Sequence, residues 1–258
     1  MRLKTTVSFK KVIKTLLLVS LITLFSFNNK PESFKSGQIK YPKVKAAYAK
    51  KWDVLQKDLM EKGITTTNFE VHLRNFKYEK QLELWARNKG DKEYKLVKTF
   101  KVCATSGDLG PKRKEGDGQV PEGFYEVSWF NPMSDYHLGL KVNYPNASDR
   151  IKSKGNRPGG DIMIHGNCVT IGCIPIENEP VEELYVACVE AKNNNNTITL
   201  EMYPCRFTEA NWNSLSKQAP GENLKFWETL KPVYLHFEAN HQMPAVKVSK
   251  EGDYQLVK

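Results

Sequence analysis

Apolar positions along the chain recur with periods that name the elements. Val44, Tyr48, Trp52, Leu55 and Leu59 repeat every three or four residues, with charge between them and Gly63 behind them, which predicts a helix over 41–62. From Asn68 the period becomes two. Phe69, Val71 and Leu73 alternate with polar residues, and Leu82, Leu84 and Ala86 repeat the pattern after a short break. Residues 88–91 (Asn-Lys-Gly-Asp) read as a turn, and 94–103 as a third strand, giving a meander of hairpins. Further strands are expected at 124–130, 138–142, 162–165 and 197–203, with a helix over 180–191 that carries Pro180 at its start. The stretch 107–123 is rich in glycine, proline and charge and reads as a long loop, and 143–160 has no period. The last fifty residues hold a helix near 223–230 and a strand or two. The expectation is a mainly β fold with helical decoration.

The amino terminus breaks this pattern. Lys10, Lys11 and Lys14 precede the apolar run 15–27, TLLLVSLITLFSF. As a helix such a run spans about 20 Å, short of the roughly 30 Å hydrocarbon core. A basic head before a short apolar segment is the pattern of an export signal. It lacks a small-x-small cleavage site, so a retained amino-terminal anchor is the second reading. The segment also changes the meaning of the charge. The chain of 258 residues has a formal charge of +10. Arg2, Lys4, Lys10, Lys11 and Lys14 supply half of it, and the remainder is spread without a basic cluster. Nucleic acid is therefore not expected as a partner. Hydrophobic residues at 40% and charged residues at 26% exclude disorder and fibrous classes. The cysteines are five (103, 168, 173, 188 and 205), so in an exported chain with internal bridges at least one is unpaired.

Candidate chemistry concentrates in Gly159 to Ile176, GGDIMIHGNCVTIGCIPI. His165 ends an apolar strand, and Cys173 follows eight residues later, directly after Gly172. A thiol is a useful nucleophile as thiolate, and an imidazole is the common means of forming it. Glycines 166 and 172 allow tight turns and close approach of a substrate backbone. Backbone N–H groups at Gly172 and Cys173 would receive a developing oxyanion. Asp161 lies about 13 Å along an extended strand from His165, too far to orient it, so a backbone carbonyl after the histidine is the better partner. Three plainer readings stand beside this one: a Cys168–Cys173 disulfide, a zinc site using His165, Cys168 and Cys173, and ordinary core cysteines. His137 and Arg150 lie in the irregular stretch that a substrate would cross, with solvated or structural roles as the alternative. The basic loop Lys112-Arg113-Lys114 reads as a solvated tip, and Cys103, Cys188 and Cys205 read as core.

The run Ile164-His165-Gly166 followed by Thr170-Ile171-Gly172-Cys173 resembles the [S/T]-x-G-C signature of the L,D-transpeptidase (YkuD-type) catalytic domain. Gly118 to Tyr125 (GQVPEGFY) resembles the Pro-x-Gly-x-Phe strand entry of that family, and Leu82 to Trp85 its early strand leading to Ser106-Gly107. The resemblance covers roughly residues 67–206. The family has a histidine directly before Gly-Cys, where this chain has Ile171. The compressed His-Gly-x-Cys-x-[Ser/Thr]-x-Gly-Cys form is similar to a divergent branch that includes enzymes releasing an outer-membrane lipoprotein from peptidoglycan.

The resemblance implies an L,D-transpeptidase-like β-sandwich or barrel. It implies an exported cysteine enzyme of the periplasm or cell envelope that acts on peptidoglycan stem peptides through a thioester. Cys173 would be the nucleophile, His165 its base and Gly166 the carbonyl that orients the ring. Gly172 would give the turn, Thr170 would shape it, and Cys168 would be a neighbouring or redox thiol. Hydrolysis, including release of a wall-linked lipoprotein, is the alternative outcome. A non-catalytic wall-binding module with a Cys168–Cys173 disulfide is the rival. The expected divisions are 1–27 for the signal or anchor, 28–66 for a linker and helix, 67–206 for the catalytic domain and 207–258 for an elaboration packed on it. No metal or organic cofactor is expected, and the membrane enters only through an uncleaved amino-terminal segment.

Overall fold

One sheet of eight strands organises the chain, curled and covered by helices on both faces. The computed structural model describes residues 32–257, so the apolar run 15–27 lies outside the described residues. The strands are β1 (Phe69–Phe76), β2 (Gln81–Asn88), β3 (Lys95–Lys101), β4 (Gly123–Asn131), β5 (Gly139–Val142), β6 (Met163–His165), β7 (Ile174–Pro175) and β8 (Thr199–Tyr203). Their order is β3-β2-β1-β8-β4-β5-β6-β7. A separate hairpin joins β9 (Val246–Val248) to β10 (Tyr254–Leu256).

The expected meander is β1 to β3, paired antiparallel with Leu73 opposite Leu84 and Leu82 opposite Phe100. The last long strand, β8, enters between β1 and β4. It runs parallel to β1, with Leu73 beside Leu200, and antiparallel to β4. A parallel neighbour needs a crossover, and the helix before β8 supplies it.

Helix α1 spans Phe34–Ile39, α2 Pro42–Glu61, α3 Ala147–Lys152, α4 Asn178–Asn193, α5 Glu209–Leu215 and α6 Gly221–Asn240. The period-read helix at 41–62 is α2. It has Pro42 in its first turn and buries Val44, Ala47, Leu55 and Leu59. Helix α4 is buried along Val181 to Ala191 because it lies between α2 and the sheet. Its buried acids are paired outward: Glu182 with Lys50 and His137, Glu183 with Lys98, and Glu190 with Lys35. On the opposite face of the sheet, α6 and β10 cover Phe76, Tyr203 and Cys205 with Phe226, Trp227, Leu230, Tyr234 and Tyr254. Arg74 is buried at this seam, donating to Glu201 (2.8 Å) and Glu238 (2.6 Å) under the Phe237 ring.

Three features differ from the sequence reading. The stretch 143–160 contains α3, closed by a capping box in which Asn146 and Asp149 exchange hydrogen bonds. The helix expected at 223–230 continues to Asn240 through Pro232. Cys103 is bonded to Cys168, with Cα atoms 5.4 Å apart. It is therefore not a core cysteine, and Cys168 is neither a free thiol beside Cys173 nor its redox partner. That bond also removes the Cys168–Cys173 disulfide and the zinc set built on Cys168, because the sulfur is already committed. Cys173, Cys188 and Cys205 are free, the last two buried. Among the described residues, no helix is long and apolar enough to cross a membrane.

Candidate active site

The site forms where β6 ends and the chain returns within eight residues to lay β7 beside it, in parallel. Ile164 faces Ile174 and His165 faces Pro175. So short a parallel return needs unusual backbone, and the loop supplies it with positive φ at Asn167 (61°) and Gly172 (125°). Gly166 is required by its surroundings. A Cβ there would sit 2.5 Å from the Asn178 carboxamide oxygen and 3.0 Å from both the His137 Cβ and the Tyr136 carbonyl oxygen. At Gly172 a Cβ would meet the Gln119 carbonyl at 3.0 Å. Thr170 ties the turn. Its hydroxyl donates to the Cys173 carbonyl (2.8 Å) and accepts from the Gly172 N–H (3.1 Å). Asn178, at the start of α4, accepts from the Asn167 N–H (3.0 Å), and the Cys103–Cys168 bond pins the loop to the exit of β3.

His165 is buried, and its Nδ1 lies 2.5 Å from the Gly166 carbonyl oxygen. A carbonyl only accepts, so Nδ1 carries the proton and Nε2 keeps its lone pair. The Tyr136 ring lies against the imidazole, with centroids 4.8 Å apart. Burial holds the imidazole below its ordinary pKa, with the Gly166 carbonyl working the other way. Burial also holds the Cys173 thiol above its ordinary value, against a hydrogen bond from the Met163 amide; Asp161 adds to the rise and Lys112 opposes it. Both groups are therefore neutral at pH 7. The thiol lies over the start of β6 and donates to the Asp161 carbonyl at 3.6 Å. Among the described residues, no hydrogen bond joins it to the imidazole.

The other sequence candidates fall in different places. The Asp161 carboxylate turns away to Lys141 (2.7 Å), as expected from its distance to His165. His137 adjoins the site through its Cβ at Gly166, but its ring is held by Glu182 of α4 (2.8 Å). Arg150 lies exposed in the last turn of α3. The basic loop is not a solvated tip. Lys112 is buried and bonded to Asp117 (2.6 Å), while Arg113 is bonded to buried Asp149 (2.9 Å), whose carboxyl burial pushes up to about 6. Asp117 receives the Arg113, Lys114 and Gln119 amides and so folds the loop on itself.

Sequence reasoning missed Glu122. It is fully buried and accepts from Lys77 (2.9 Å), the Gly110 N–H (2.8 Å) and Trp227 of α6 (2.7 Å). It thereby fastens the loop flanking Gly172 to the carboxy-terminal helix. A buried acid flanked by proline and glycine carries no periodic signal that could have revealed this. At the rim, Ile171 is 88% exposed and Val169 55%.

The L,D-transpeptidase catalytic domain matches residues 76–195. YafK of Escherichia coli (strain K12), an assigned rather than demonstrated L,D-transpeptidase, is 37% identical over 182 residues, covering 69% of this chain and 70% of that protein. The helical cell shape determining protein Pgp2 from Campylobacter jejuni aligns at 19% identity with a TM-score of 0.45, covering 76% of this chain and 80% of Pgp2. Mycobacterium tuberculosis L,D-transpeptidase 1 aligns at 10% identity with a TM-score of 0.30, covering 52% and 62% of the two chains.

Proposed function

This chain belongs to the L,D-transpeptidase catalytic domain family, and from that premise we propose that it is an exported cysteine acyltransferase acting on peptidoglycan stem peptides. Cys173 is the nucleophile and His165 the base. The thiol turns from the Asp161 carbonyl toward His165 Nε2, which takes its proton as the sulfur attacks the carbonyl at the L-centre of the third stem residue. The Gly172 amide is engaged with Thr170, so the Cys173 amide is the donor this reading assigns to the oxyanion. The imidazolium returns its proton to the departing amine, leaving a thioester. An amine acceptor, its proton taken by the same imidazole, then regenerates the thiol and forms a cross-link; water in its place gives hydrolysis.

The observation that carries this reading is a free thiol on the short glycine-led return between β6 and β7, a return that starts at a buried histidine whose Nδ1 is tied to the carbonyl of Gly166. A resting pair that is neutral on both sides suits proton transfer during attack rather than a preformed ion pair.

Incubating purified sacculi with the protein and identifying muropeptides by mass tests it. New 3–3 linked dimers indicate transfer; shortened stems or a released wall-linked protein indicate hydrolysis. Cys173→Ala is expected to abolish either product. Unchanged products from that variant would remove the nucleophile, and binding to sacculi without any product would favour the wall-binding alternative. Release of a mature chain lacking 1–27 into the periplasmic fraction is the expected sign of export; a full-length chain in the membrane fraction indicates an anchor.

A further inference from the structure

The face of β1 toward the main core reads Val71, Leu73, Asn75. The first two belong to the hydrophobic cluster, and Asn75 stands where the pattern calls for a third apolar residue. Its register partners are Leu82 on β2 and Met202 on β8, both apolar and buried. Asn75 is 2% exposed, and its carboxamide oxygen is shielded without a hydrogen-bond partner. Buried polar groups are nearly always paired, so an orphan of this kind calls for an explanation.

Asn75 lines a small cavity together with Lys77, Thr105, Val120, Cys173 and Ile174. Its volume is about 10 Å³, room for about one water. Lys77 is not available to it, because its ammonium is bonded to Glu122 and to the Gly110 and Val120 carbonyls. Phe76, Val102, Val120 and Ile174 make the remaining wall largely apolar. Asn75 thus brings to this cavity a buried carboxamide oxygen without a hydrogen-bond partner, and Cys173 forms part of the same wall.

We infer that Asn75 is a positioning residue for Cys173: its carboxamide holds one water in this cavity, and that water donates a hydrogen bond to the sulfur as the thiol gives up its proton. A carboxamide both donates and accepts, so it can orient a water with one hydrogen toward itself and the other toward the sulfur. The need is physical. Burial and the Asp161 carboxylate disfavour the thiolate more than the Met163 amide and Lys112 favour it, and the carbonyl of Asp161, which accepts from the thiol, offers the anion nothing. This inference rests on the reading of Cys173 as nucleophile and names a group that adds to the Met163 amide and Lys112 in favouring its anion.

The test is the rate of Cys173 alkylation by iodoacetamide between pH 7 and 10. It is read by peptide mass on the full chain with the Cys103–Cys168 bond intact, so that buried Cys188 and Cys205 do not contribute. In Asn75→Leu the pH–rate profile is expected to move up by about one unit, about a tenfold slower reaction at pH 8, with no fall in melting temperature. Asn75→Ser, which keeps a hydroxyl beside the cavity, is expected to recover most of the rate. A profile for Asn75→Leu that superimposes on the parent overturns the inference. Should the leucine variant fail to fold, Asn75→Ala against Asn75→Ser decides: a slow alanine and a fast serine variant support it, and equal rates overturn it. The alkylation reads the thiol alone. Loss of the nucleophile reading in the sacculus assay and loss of the Asn75 role are therefore separate results.

Discussion

At the scale of single residues, the site depends on protons held where burial places them. His165 keeps a neutral ring because desolvation opposes its charge, and Cys173 keeps its proton for the same reason. In the proposed mechanism the working form, thiol with neutral imidazole, is bounded by the histidine on the acid side and the thiol on the alkaline side. A lowered imidazole pKa means the base loses its function only below its ordinary value of 6.5, and a raised thiol pKa moves the other limb above 9.0. A plateau in kcat/KM across that interval is expected in a pH–rate profile on a stem-peptide substrate. An acid limb centred above 6.5 would contradict the assignment. The residue pattern His165, Gly166, Thr170, Gly172, Cys173 was legible in the sequence because each member leaves a local mark. Asn75 was not. One polar residue at the end of an apolar strand looks like a strand terminus until the cavity beside it is seen.

At the scale of elements, the short parallel return from β6 to β7 is held by three separate ties: Thr170 within the turn, Asn178 from α4, and the bridge from Cys168 to Cys103. The bridge spans a sequence separation of 65, and a closed loop of that length restricts the unfolded chain substantially. The double variant Cys103→Ala with Cys168→Ala is expected to lose about 2–5 kcal/mol of stability in denaturant unfolding. It should keep Cys173 reactive toward iodoacetamide, because the proposed mechanism uses neither sulfur of the bridge. Loss of Cys173 reactivity in a folded double variant would return Cys168 to the mechanism. The hairpins β1 to β3 followed from a period of two, and α2 and α4 from a period near 3.6. The pairing of Cys103 with Cys168 did not follow, since five cysteines admit many pairings and only proximity in space chooses among them.

At the scale of the whole molecule, the carboxy-terminal segment is part of the core rather than an ornament. Phe226, Trp227, Leu230 and Tyr234 of α6 cover the outer face of β1 and β8, and Trp227 reaches Glu122 at the root of the loop beside Gly172. Removing 207–258 exposes Phe76, Tyr203 and Arg74 and strips Glu122 of one of its three donors. Each large apolar side chain so uncovered is worth about 1.5–3 kcal/mol, so their sum is comparable with the whole stability of a domain. A chain ending at 206 is expected to show no cooperative thermal transition. A sharp melt near that of the full chain would mean that the catalytic segment folds without its carboxy-terminal cover.

The sequence by itself determined what depends on near neighbours. The periods set the helices and hairpins, the glycines set the turns, and the spacing of His165 and Cys173 placed both on one short return. The tertiary structure decided what depends on distant partners. It inserted β8 between β1 and β4, closed Cys103 on Cys168, bonded Arg113 to the buried Asp149, and set Asn75 and Cys173 in the wall of one cavity. These contacts join residues separated by up to more than a hundred positions. Burial and hydrogen bonding select them only once the sheet has formed, whereas local periodicity acts on the chain before it folds.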